Sequence, residues 1–177
     1  SSSSSSSSSS STSEHEGPYK HTIMIYMCGS DLESDGYLAS DKIREMLQVG
    51  GLGGKASSVN VVIETGGSSK WDPSMKDSTG STISSSKLGR YHIENKKLVR
   101  DSQIANASMG KSSTLQSFIE YSVTNYPADK YGLLLWNHGG AMDGCCSDEN
   151  FNDTYGYNDI LTPHELTIAV GNARNNL

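Results

Sequence analysis

The chain has 177 residues, of which 34% are hydrophobic, with 18 glycines and a formal net charge of −6. That length suits one domain, and the acidity argues against a nucleic-acid backbone as partner, because neutralising phosphates takes clustered Lys and Arg. No apolar run reaches the roughly 18 residues of a membrane span. The three cysteines, Cys28, Cys145 and Cys146, make neither a disulfide framework nor a C-x-x-C zinc pair.

Residues 1–17 open with Ser1 to Ser11 and remain polar throughout. Such a run buries too little apolar area to offset its ordering entropy, so it reads as a flexible linker, either a tether holding the domain, residues 18–177, away from a surface or a stretch not native to the protein. The first strand is expected over Thr22–Cys28, closed by Gly29 and Ser30, with Asp31 or Ser34 capping the next helix. In that helix Leu38, Ile43, Met46, Leu47 and Val49 follow a 3.6-residue stripe, and paired glycines from Gly50 end it. A second strand runs from Val59 to Thr65. Residues 68–90 lack a period and read as a long loop, followed by a small hairpin around Glu94-Asn95-Lys96.

A helix is expected from Ser112 or Ser113, with Leu115, Phe118, Ile119 and Val123 on one side and Pro127 just beyond its end. The third strand, Tyr131–Trp136, is so apolar that it reads as covered on both faces. Next comes an acidic loop from Ala141 to Leu161. Thr162, Pro163 and Glu165 then form the N-cap, first and third positions of a last helix. This order predicts an α/β fold: a mostly parallel sheet, right-handed crossovers and helices on both faces. A pattern ending on a helix usually leads into another strand, so these residues read as the first part of a domain. An apolar sheet edge should stand open where that strand belongs.

His138, followed by Gly139 and Gly140, ends the third strand, where open α/β sheets place their ligands. A histidine there is a candidate general base, and a glycine amide beside it is suited to donate to an oxyanion. Cys145 and Cys146 share one loop with His138, a poor arrangement for a thiol that must be held against its base. Asp31 and Glu33 read as helix-capping residues or as groups orienting a substrate. The segment from Asp148 places oxygen donors as a calcium loop does, but its sixth position is Asp153 and its twelfth Asp159, a departure from the EF-hand pattern. Calcium is therefore one expectation for this loop. A solvated loop, or one attracting a cationic substrate, is the other.

Several stretches resemble the clostripain family of cysteine endopeptidases, which have a caspase-like fold. They are Tyr26-Met27-Cys28-Gly29-Ser30-Asp31-Leu32-Glu33, Glu64-Thr65-Gly66-Gly67 with Trp71, and Ala107-Ser108-Met109-Gly110. The most distinctive is Asn125-Tyr126-Pro127-Ala128-Asp129-Lys130-Tyr131-Gly132 leading into Asn137-His138-Gly139-Gly140. Cys146, Asp148-Glu149 and the helix start Leu161-Thr162-Pro163-His164-Glu165-Leu166 also match, and the whole resemblance covers about residues 19–177.

The resemblance implies a secreted or surface-attached bacterial peptidase that cuts protein or peptide substrates after Arg or Lys and needs no cofactor for its chemistry. It implies His138 as catalytic histidine and Gly139 as part of the oxyanion hole. The nucleophilic cysteine and the acid recognising the basic side chain would lie on a strand beyond Leu177, in a downstream segment or a second chain. Family members that process themselves cut after a basic residue following the histidine, and here the one Lys or Arg after His138 is Arg174. A non-catalytic surface binding module of the same fold is the alternative reading.

Overall fold

The computed structural model describes residues 19–177, so the Ser-rich segment 1–17 lies outside the described residues. Five strands form one sheet: β1 Tyr19–Cys28, β2 Val59–Gly66, β3 Lys87–Glu94, β4 Lys97–Ala105 and β5 Ala128–Trp136, in the order β4-β3-β2-β1-β5. β1 pairs in parallel with both β2 and β5, while β3 and β4 add antiparallel strands. The helices are α1 Ser30–Ser34, α2 Leu38–Gln48, α3 Ser112–Asn125 and α4 Pro163–Asn176.

The strand period of two sorts β1 onto both faces. Ile25 and Met27 join Ala39 and Ile43 of α2 in one core. Met24, Tyr26 and Cys28 join Leu115 and Phe118 of α3 and Ala169 and Ala173 of α4 in the other. The result is the expected three-layer α/β/α arrangement. Tyr26 and Phe118 are both fully buried with ring centroids 6.0 Å apart, and the Tyr26 hydroxyl donates to Met109 O at 2.9 Å. Burying a side chain of that size contributes about 1.5–3 kcal/mol.

Several local expectations change. β5 is an edge strand, and none of its residues is buried; Leu134 is 50% exposed. Its run of leucines reflects one covered face, since Leu133 and Leu135 pack on the α3 side. The acidic stretch is a hairpin, β6 Cys145–Asn152 and β7 Asn158–Leu161, after a single 3₁₀ turn at Ala141–Asp143. The hairpin around Asn95 and Lys96 belongs to the main sheet, and both residues have positive φ, 50° and 60°, as a tight two-residue turn requires. The segment before β3 is irregular, yet it buries Trp71, Met75 and Ile83 on the α2 side.

Neither α1 nor α2 has a side-chain N-cap, so Asp31 and Ser34 do not cap. α4 carries the full capping box expected of Thr162 and Glu165.

Candidate active site

From β1 the chain passes through α2 to β2, and it returns through α3 to place β5 on β1's other side. α2 and α3 pack on opposite faces, so the connections diverge between β1 and β5. A crevice outside the carboxyl ends of two such strands is where open α/β sheets bind ligands. Gly29 to Asp31 follow β1 there, and Asn137 to Gly140 follow β5.

Asn137 fastens this edge. Its Nδ2 donates to Cys28 O at 2.8 Å, and its Oδ1 accepts from Ser147 N at 3.3 Å. The next residue, His138, is exposed and directs Nε2 at the Asp31 carboxylate, 3.1 Å from Oδ1 and 3.2 Å from Oδ2. Gly139 is exposed too, and a Cβ built on it would meet nothing within 4 Å, so a substrate backbone can approach closely. Gly139 faces Cys145 across an isolated bridge, and Gly140 N donates to Gly144 O at 2.8 Å, which folds the turn back against β6.

The β1 side is held as firmly. Gly29 N and Ser30 N donate to Gly66 O and Gly67 O at 2.8 and 3.1 Å. Gly67 has φ +74°, and a Cβ there would stand 2.4 Å from Cys28 Sγ, so this close passage requires glycine. Glu33, fully buried, accepts from Ser40 N at 2.9 Å, Ser40 Oγ at 2.5 Å and Asp72 N at 2.9 Å. Glu149 of β6 accepts from Ser34 Oγ at 3.1 Å, Ser68 Oγ at 3.2 Å and Ser69 N at 2.5 Å, so one carboxylate joins three segments of the rim.

All three cysteines are free thiols. Cys28 is buried and donates through Sγ to Ser147 O at 3.2 Å, and burial pushes its pKa well above the ordinary value. The hydrogen bond from Cys146 lowers Cys145 to about 7; that same bond, together with burial, pushes Cys146 up. Cys146 sits at φ +59°, rare for a residue with a side chain. Among the described residues, the side-chain partner of His138 is Asp31, and no thiol occupies that place.

The oxygen donors of the acidic stretch point elsewhere. Asp148 is buried and accepts from Met109 N at 2.8 Å and Asn150 N at 2.9 Å. Asp159 accepts from Ser108 Oγ at 2.6 Å and lies 3.5 Å from Lys111 Nζ. Among the described residues, no group of three or more His, Cys, Asp or Glu side chains is placed to hold a metal ion.

The structure thus brings His138 and Gly139 to the sheet edge as expected. It adds Asp31, which sequence reasoning treated as a cap or a substrate-orienting group. The signal available was positional: Asp31 follows the carboxyl end of β1, the strand that neighbours β5.

Comparisons with known proteins bear on the family and the fold of the chain. Clostripain of Hathewaya histolytica is 36% identical over a 70-residue alignment that takes in 34% of this chain and 13% of that protein. A secreted C11 cysteine protease from Bacteroides thetaiotaomicron, solved with an irreversible peptide inhibitor, superimposes with a TM-score of 0.52 at 17% identity. That match covers 86% of this chain and 39% of the other. A second structure of a secreted C11 protease from the same organism, called iotapain, gives a TM-score of 0.56 at 14% identity, over 89% of this chain and 44% of the other. The chain therefore spans less than half the length of these relatives. At such low identities the two structures establish the fold, a mixed sheet with flanking helices. Membership is settled by sequence: the clostripain family's profile matches residues 25–169, and this chain belongs to the clostripain family of cysteine proteases.

Proposed function

We propose that this chain supplies the catalytic histidine and oxyanion region of a cysteine endopeptidase that hydrolyses peptide bonds after Arg or Lys. The observation that carries the reading is the exposed His138-Gly139 turn at the carboxyl end of β5, beside the point where the sheet's connections diverge. The nucleophilic thiol comes from polypeptide outside this sequence, whether a downstream segment or a second chain. β5's outer edge, unpaired among the described residues, is where a further strand would add.

In this mechanism the thiolate attacks the substrate carbonyl carbon. His138 donates a proton to the leaving amine and then takes one from the water that hydrolyses the thioester. The Gly139 N–H stabilises the oxyanion of each tetrahedral intermediate. The net charge of −6 favours encounter with basic peptides. Secretion is part of the same reading: the two superimposable proteases are secreted, and among the described residues no helix is long and apolar enough to cross a membrane.

The test is His138→Ala in the full-length protein. Cleavage after Arg and Lys should fall to background while the circular dichroism spectrum and melting temperature stay unchanged. Turnover near that of the wild type would overturn the assignment.

A further inference from the structure

Asp31 lies 107 residues from His138 in sequence, yet its two oxygens stand 3.1 and 3.2 Å from the ring Nε2. We propose that Asp31 is the positioning residue for His138: its carboxylate holds the Nε2–H and leaves Nδ1 as the nitrogen that exchanges protons with the reacting groups. This rests on the peptidase reading for the identity of those groups. The tautomer itself follows from the pair alone.

An ionised carboxylate has acceptors and no donor, so a neutral imidazole that bonds to it must carry its proton on the facing nitrogen. Nδ1 is then the free lone pair. The reverse tautomer would set two acceptors against each other at 3.1 Å.

Both residues have rigid mounts, as a positioning pair needs. His138 follows Asn137, which is tied to Cys28 O and Ser147 N. Asp31 follows Ser30, a buried residue with φ +47° whose N–H is held by Gly67 O. Such a conformation persists where the surroundings over-determine it, and it tends to mark functional sites. The same short helix is fastened below by Glu33, through Ser40 and Asp72, and at its end by Ser34 to Glu149. Asp31, by contrast, makes no capping bond, and its carboxylate is directed at the histidine.

A carboxylate this exposed has one rival role, binding the cationic side chain of a substrate. The two roles separate experimentally. On ¹⁵N-labelled protein of this sequence, long-range ¹H–¹⁵N correlations of the neutral His138 ring, assigned by their loss in His138→Gln, should show the proton on Nε2. In Asp31→Ala both tautomers should appear. A wild-type ring protonated on Nδ1, or a pattern unchanged by Asp31→Ala, overturns the proposal.

In the full-length enzyme, Asp31→Ala should lower kcat by about 10²-fold, as expected for a misplaced catalytic group. KM should move less than threefold, and Asp31→Asn, which keeps an acceptor oxygen, should recover part of the loss. A raised KM at unchanged kcat would assign Asp31 to substrate binding instead. If the wild-type protein cleaves nothing, the peptidase reading fails, and the ring spectrum still decides the tautomer.

Discussion

β2 buries seven of its eight residues, whereas β5, two places along the same sheet, buries none of its nine. Both strands are rich in branched and large apolar side chains, so composition did not decide their fates. Neighbours did: β2 lies between β1 and β3, while β5 has β1 on one side and open edge on the other. The closed flank carries stability through packing, and it encloses a buried pair in which Arg90 Nε donates to Glu64 Oε2 at 2.8 Å. The open flank carries the exposed histidine. Buried packing and the proposed chemistry thereby fall on different strands, and a mutation on one side should leave the other largely untouched.

The strongest way to break that division is Phe118→Ala, which empties a fully buried ring from the core beneath β1. It should cost about 3–5 kcal/mol in urea unfolding. A loss below about 1 kcal/mol would mean that this core collapses around the gap, and the closed flank is softer than its burial suggests.

A smaller effect concerns pH. On β3, burial disfavours the charge of His92, but the bond to Asp101 at 2.5 Å outweighs it and raises the His92 pKa. Asp101 also accepts from Tyr121 at 2.7 Å and from Tyr126 at 2.5 Å, joining the hairpin to α3 and the residue after it. A raised histidine stabilises fully below its unfolded pKa, about 6.5, and that contribution is lost as pH rises through the folded value. Burial pushes Glu64 up to about 7 against the pull of Arg90, so its ionisation costs stability as pH rises towards that value. Both contributions have the same sign. The urea midpoint should fall as pH rises from about 5 to about 7, and His92→Gln should flatten the part above about 6.5. A midpoint that climbs over this range would contradict the assignment.

The smallest change is expected at the open edge. Leu134→Ala removes a half-exposed side chain, so this chain should lose about 0.5 kcal/mol or less, within the range of surface substitutions. A loss of several times that would show the β5 edge to be covered in solution. That outcome would sharpen the comparison by locating the covering partner on this face.

Where the sequence was legible, the signal was local. The capping box at Thr162 and Glu165 needs four consecutive residues, and the Asn95-Lys96 turn needs two. The strand ending at His138 could be found from its apolar run and glycines. What escaped depends on partners far along the chain. β6 read as a solvated loop because Asp148 and Glu149 look hydrophilic, yet their partners are Met109 N and Ser68 Oγ, 39 and 81 residues away. A polar residue satisfied across such distances leaves no periodic trace. The contact of Asp31 with His138, 107 residues away, leaves no local trace for the same reason. The burial of β5 was overread because a leucine run is equally compatible with one covered face or two.

His138 and Asp31 keep side-chain exposures of 55% and 57%. In that state water screens their attraction, and what fixes the ring is the direction of the hydrogen bond more than the charge behind it. A peptide laid across the turn would expel that water and lower the local dielectric, and the same pair at the same distance would attract more strongly. The imidazole would thus be held most tightly with a peptide bound. Under the proposed function, the orientation of the base is coupled to occupancy through the solvent.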